Sequence, residues 1–218
     1  MKKARKFWAL LSTMIVCTLC ISAGIYQQNA NLLKCLSEDQ IEELREVYPI
    51  YQLAYPPELS GRFPSLDEAI EDVDSFIYGE VIGELETYSE YIPTGIPALD
   101  EKQKRLGHTD GETFYRYRIR VIEDTEGVYQ PGEELIMTSN MKYIDYKPQF
   151  KSGMKVVYGT VLSKYNPKET DYMTVGTYYV TDDGYALSAF PEEQKTMKSR
   201  GTYSGVKVEY LLKQLKKK

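Results

Sequence analysis

The sequence predicts a mainly β fold with flanking helices, a small five-stranded barrel behind an N-terminal transmembrane helix. Three observations lead there. Phe7 to Tyr26 is an uncharged run of 20 residues. Between Asp74 and Val180, apolar residues recur at every second position in five runs rich in β-branched and aromatic side chains, with turn residues between them. Segments on either side of those runs carry their apolar residues at helical spacing instead.

The N-terminus comes first. Lys2, Lys3, Arg5 and Lys6 make residues 1–6 a basic tip with no acid, and residues 7–26 are long enough to cross a hydrocarbon core as a helix. Basic flanks stay in the cytoplasm, so the expected orientation is N-terminus in and C-terminal domain extracytoplasmic, with Trp8 and Tyr26 near the two interfaces. The lipid bilayer is then a partner through residues 7–26. Secretion after signal cleavage is the alternative, since Ser22-Ala23-Gly24 offers small residues for a cut. Lipid modification of cysteine is disfavoured, because Cys17 follows Val16 and Cys20 follows Leu19 where a small residue is needed.

Residues 27–73 read as short helices and a Pro-rich linker. Ser37 with Gln40 three residues later forms a helix-starting box, and Ile41, Leu44 and Val47 supply one apolar side. From Tyr48 to Pro64, four prolines (49, 56, 57 and 64) and Gly61 exclude a regular element, leaving a tether or a strap over the domain. Ser65 and Glu68 repeat the starting box before Leu66, Ala69, Ile70 and Val73.

The barrel is assigned to residues 74–190, with strands at Phe76–Glu86, Thr113–Glu123, Glu134–Ser139, Lys155–Leu162 and Tyr172–Val180. In the first strand, Ile77, Gly79, Val81, Gly83 and Leu85 are expected on one apolar face. A phosphate-binding loop would need a lysine and a hydroxyl residue after its last glycine, whereas Glu84 follows Gly83, so the glycines read as bends or close approaches. Thr87 to Glu112 is a long connection holding a short helix at Pro97–Leu106, ended by Gly107. The Asp182-Asp183-Gly184 turn leads into a short strand at Tyr185–Ala189. Residues 191–218 are a linker and a closing helix with Val208, Leu211, Leu212 and Leu215 inward. The basic Lys213 and Lys216–Lys218 suit that helix's C-terminal end.

Four stretches together resemble a known group: DVDSFIYGEVI before a long loop, YRYRIRVIEDTEGVYQPGEELIM, GMKVVYGTVL, and a final helix after a DDG turn. They are similar to small exported proteins of Gram-positive bacteria, mostly of unassigned function, with an oligonucleotide/oligosaccharide-binding-like (OB-like) β-barrel. The resemblance covers roughly Asp74 to Leu215 and implies the fold, its topology and export. It carries over no catalytic residues.

Composition narrows the partners. No acid and four of the 27 basic residues lie within the first 26 positions, so the rest carries 23 basic against 32 acidic residues, about −9. Nucleic acid is therefore not an expected partner, since it needs phosphates neutralised by lysine and arginine. Cys35 alone lies clearly outside the apolar run, which excludes an internal disulfide framework. The single histidine, His108, has no nucleophile motif beside it, and no cluster has the spacing of a metal site. No catalytic, cofactor-binding or metal-ligating residue is assigned.

What remains is a binding surface. Tyr115, Tyr117, Ile119 and Val121 alternate with Arg116, Arg118 and Arg120, which places three arginines on one face. They suit carboxylates on a partner, or else pair with Glu80, Glu84 and Glu86 of the preceding strand. Tyr88 and Tyr91, with Tyr48, Tyr51 and Tyr55, are expected in loops, where such rings stack on sugars or anchor an interface. The expected function is non-catalytic binding or scaffolding of a cell-envelope protein. Wall-glycan binding, or hydrolysis by two converging carboxylates, are the alternatives.

Overall fold

The computed structural model describes residues 35–51, 65–91, 93–107, 111–140, 148–162, 169–191 and 203–217, without the side chains of 171–175. The anchor predicted at 7–26, the proline-rich run 52–64, Tyr55 and His108 lie outside these residues. Among the described residues, no helix is long and apolar enough to cross a membrane.

Six strands and four helices among the described residues make a mainly β fold. The strands are β1 (Ser75–Glu90), β2 (Glu112–Asp124), β3 (Glu134–Asn140), β4 (Lys155–Leu162), β5 (Glu169–Val180) and β6 (Ala186–Ser188). The helices are α1 (Glu38–Leu44), α2 (Leu66–Asp72), α3 (Pro97–Arg105) and α4 (Val208–Leu215). Both starting boxes form: Ser37 accepts from the Gln40 amide and Ser65 from the Glu68 amide, and each partner side chain reaches back to its cap. Helix α1 ends one turn earlier than its sequence pattern, so Val47 is left exposed.

The strands run in the order β3-β2-β1-β4-β5-β6, antiparallel throughout, and β3 additionally pairs in parallel with β5. The inner face gathers Ile77, Val81, Tyr115, Tyr117, Ile119, Leu135, Met137, Val156, Tyr158 and Tyr179 into one core. A second core lies on the outer face of the β4–β5–β6 side, where Phe76, Val157, Tyr178, Val180 and Ala186 meet Ile70 and Val73, and α4's Val208, Leu211, Leu212 and Leu215. All four α4 residues read as inward from the sequence are buried. Each such side chain removed from water contributes about 1.5–3 kcal/mol.

The segment after α1 belongs to the packed body. The Tyr48 ring packs tilted at 46° against that of Tyr179, with centroids 5.5 Å apart, Tyr51 donates its amide to the Ala189 carbonyl, and Arg45 donates to the Ser188 carbonyl at 2.8 Å. Of the run 48–64 expected as a tether or a strap, residues 48–51 pack against the body, and 52–64 lie outside the described residues.

Register corrects one sequence expectation. Val81 sits opposite Ile119 and Gly83 opposite Arg118, which leaves Ile82 as an extra residue, a β-bulge. Residues directly opposite share a face, so past the bulge the alternation inverts. Gly83 and Leu85 move to the arginine side, while Glu84 comes opposite Tyr117 on the inner side. The two glycines therefore do different things. A Cβ on Gly79 would overlap Ile119 Cγ2 and come within 3.0 Å of the Arg120 carbonyl oxygen, whereas one on Gly83 would meet nothing within 4 Å. Gly79 permits a close approach; Gly83 stands beside the bulge.

Candidate functional site

The outer face of β2 places Phe114, Arg116, Arg118 and Arg120 in a row, because the inner positions Tyr115, Tyr117 and Ile119 are taken by the core. The arginines share one face, as their alternation predicts. Strand β3 lies alongside with Thr138, Ile136 and Glu134 opposite the three arginines in turn.

Each guanidinium meets a carboxylate. Arg120 lies 3.6 Å from Glu80 and 3.7 Å from Glu134, Arg118 lies 3.9 Å from Glu134, and Arg116 lies 3.8 Å from Glu169. Of the sequence-predicted partners, Glu80 is in place. Glu84 is not, since the bulge turns it to the inner face, where its charge helps raise the Tyr117 pKa after the larger effect of burial. Glu86 contributes its backbone carbonyl instead, accepting from Arg116 Nε at 3.2 Å and Nη2 at 2.9 Å. Glu134 and Glu169 were missed by sequence reasoning. Only the β2–β3 and β3–β5 pairings bring them here, and no local pattern announces those.

Arg116 differs from its neighbours. Its side chain is 23% exposed, against 48% and 47% for Arg118 and Arg120, and its guanidinium carbon stands 4.7 Å above the Tyr88 ring. Tyr88 in turn stacks on Phe114, with centroids 5.3 Å apart and planes at 20°. The loop position expected for Tyr88 is thus overturned. β1 continues four residues past the predicted end at Glu86, and Tyr88 pairs with Phe114. The apolar gain of stacking two aromatic rings across the strands extends the ladder.

Tyr91 lies beyond the strand, half-buried. Its hydroxyl donates to Asp100 Oδ1 at 3.2 Å and Gln103 Oε1 at 3.1 Å, which fastens α3 to the tip of the β1–β2 arm. Asp100 also accepts from the Thr94 hydroxyl at 2.7 Å and the Thr94 amide at 2.8 Å. Those Thr94 bonds hold its carboxyl below the usual range. Tyr91 therefore joins α3 rather than the arginine row.

No group of three or more metal-ligating side chains occurs among the described residues. Cys35 is an exposed thiol outside any disulfide. Among the described residues, Glu80 and Glu134 converge on the Arg120 guanidinium, and all three side chains are part-exposed. No family model matches this chain, and no curated protein is similar enough to count as a relative.

Proposed function

We propose that this chain is a membrane-anchored extracytoplasmic binding or scaffolding protein whose five-stranded, OB-like barrel presents the outer β1–β2–β3 face to another protein of the cell envelope. The parallel β3–β5 pair supports the barrel, because it closes β3-β2-β1-β4-β5 on itself and gives the β3 edge a partner, with β6 as a further strand on β5. Residues 7–26 support the anchor, and the likeness to small exported Gram-positive proteins supports the location.

One observation carries the binding face. The outer surface of β4, β5 and β6 is sealed by helices, while that of β2 bears a row of arginines and a stacked aromatic pair with no described element over it. Aromatic and arginine side chains are the residue types that dominate protein interfaces. OB folds commonly bind through their strand 2 and 3 face. The Arg–Glu contacts at 3.6–3.9 Å are exposed and loose enough to be exchanged for a partner's carboxylates at small cost.

A second reading is glycan binding, favoured by the Tyr88–Phe114 pair, since flat stacked rings suit the apolar faces of sugars. A photo-crosslinking residue in place of Arg118, used in native cells and followed by mass spectrometry, separates the two. A specific protein adduct that vanishes on charge reversal of Arg116 and Arg120 is expected. A glycan adduct moves the conclusion to the second reading, and adducts unchanged by the reversal remove the arginine face from it.

A further inference from the structure

Within the arginine row, Arg116 and its neighbour Thr138 leave polar groups unspent. Arg116 gives its Nε and Nη2 to the Glu86 carbonyl, at 3.2 and 2.9 Å. Its third nitrogen, Nη1, lies 3.8 Å from Glu169 Oε1, which is an ion-pair contact beyond hydrogen-bond distance. Thr138 stands directly opposite Arg116 on β3, and so on the same outer face. It is 4% exposed, and its buried hydroxyl has no hydrogen-bond partner. A hydroxyl in that state has lost its water and gained nothing in return, which makes it a group that a ligand can satisfy.

We infer that Arg116 and Thr138 form a seat for a carboxylate of the partner, which displaces Glu169, one oxygen accepting from Arg116 Nη1 and the other from the Thr138 hydroxyl; this rests on the outer β1–β2–β3 face being the binding face. Three features select that ligand. First, Arg116 is fixed in advance, since two bonds to a backbone carbonyl and the Tyr88 ring, itself stacked on Phe114, hold its plane. A guanidinium held in one plane presents its N–H donors in the geometry that a carboxylate matches. Second, Glu169 is as enclosed as Arg116, 22% against 23% exposed. A charge so enclosed keeps a counter-charge, so what takes the place of Glu169 is another anion. Third, Arg116, Arg118 and Arg120 recur at every second residue, about 6.8 Å apart along a strand. An extended peptide with an acidic residue at every second position repeats at the same distance. The partner is therefore an extended acidic segment of a protein, and Glu169 is this chain's own competitor for the seat.

The test uses the full chain in lipid nanodiscs, isotope-labelled at arginine, and titrates it at low salt with an acetylated, amidated hexapeptide of alternating glutamate and serine. The Nε–H resonances of Arg116, Arg118 and Arg120, each assigned by its replacement with lysine, are expected to move together and saturate. Glu169→Gln removes the competitor and should tighten binding about two- to fivefold. Thr138→Val removes a hydrogen bond to a charged group and should weaken binding about tenfold. Its melting temperature should hold or rise, because an unpartnered buried hydroxyl is gone. Weaker binding accompanied by a lower melting temperature would make Thr138 structural and overturn the seat. Movement of Arg118 and Arg120 without Arg116 also overturns the seat and leaves the binding face standing. Movement of none of the three removes the face, and the seat with it. If Glu169→Gln binds no tighter, Glu169 does not compete and the displacement is overturned. A peptide of the same composition with its glutamates consecutive should bind more weakly, and equal binding overturns the extended partner.

Discussion

The two outer faces of the sheet are built from the same strand pattern and finished in opposite ways. On the β4–β5–β6 side the outward positions are Val157, Tyr178 and Val180, and α2 and α4 cover them. On the β2–β3 side they are Arg116, Arg118, Arg120, Ile136 and Glu134, and charge contacts finish the surface. Strand β1 belongs to both. Its outward residues pass from Phe76, under the helices, through the half-buried Tyr78 to Glu80, which faces Arg120. What differs is the source of stability: removal of apolar area on one side, exposed ion pairs on the other. The first is worth several times the second. A face held by weak, exchangeable contacts can be given to a partner without unfolding the body.

The sharpest way to break this contrast is to truncate one residue on each side. Leu211→Ala, at a fully buried α4 position, is expected to cost about 2–5 kcal/mol in urea denaturation, because the cavity under the helix cannot close. Arg118→Ala is expected to cost less than about 1 kcal/mol. Equal losses would mean that the charged face is structural, and would take away the reason to regard it as available.

The glycines of β1 give a smaller effect. Gly79→Ala forces its methyl group into Ile119 and the Arg120 carbonyl, and overpacking of that kind costs about 1–3 kcal/mol. Gly83→Ala meets open space, and a change of about 0.5–1 kcal/mol toward greater stability is expected from a stiffer unfolded chain. Thermal melts of the two variants should move in opposite directions. If both fall together, the bulge at Ile82 needs Gly83 as much as the crossing needs Gly79.

Much of this was legible in the sequence because the signals are local. The capping boxes at Ser37 and Ser65, the inward set Val208, Leu211, Leu212 and Leu215, and the alternation of Arg116, Arg118 and Arg120 each depend on residues within a few positions of one another. What failed depends on the partner strand. A bulge is one residue more than the neighbour has, so neither Ile82 nor the inversion that turns Glu84 inward can be counted from β1 alone. Tyr88 looked like a loop residue because Glu84, Glu86 and Thr87 around it are polar, whereas Phe114 across the ladder and Arg116 over its ring hold it in the strand. Glu169 reaches Arg116 through the parallel β3–β5 pairing, which joins segments far apart in the chain. The arginine row was readable; its counter-charges were not.

The smallest expected effect tests whether those counter-charges hold the face together. Arg120 bridges Glu80 and Glu134, and all three side chains are 37–47% exposed. A double-mutant cycle of Arg120→Ala and Glu134→Ala, by urea denaturation at low salt, is expected to give a coupling of about 0.2–1 kcal/mol that fades as ionic strength rises. Screening acts on exposed charges and spares enclosed ones, so a coupling that survives high salt would mean that the row is enclosed in solution. In that case something covers the β2–β3 face already, and the contrast between the two sides of the sheet becomes one between a helix lid and another lid. A coupling that fades keeps the arginines exposed and exchangeable, which is the condition under which they can hold a partner's carboxylates.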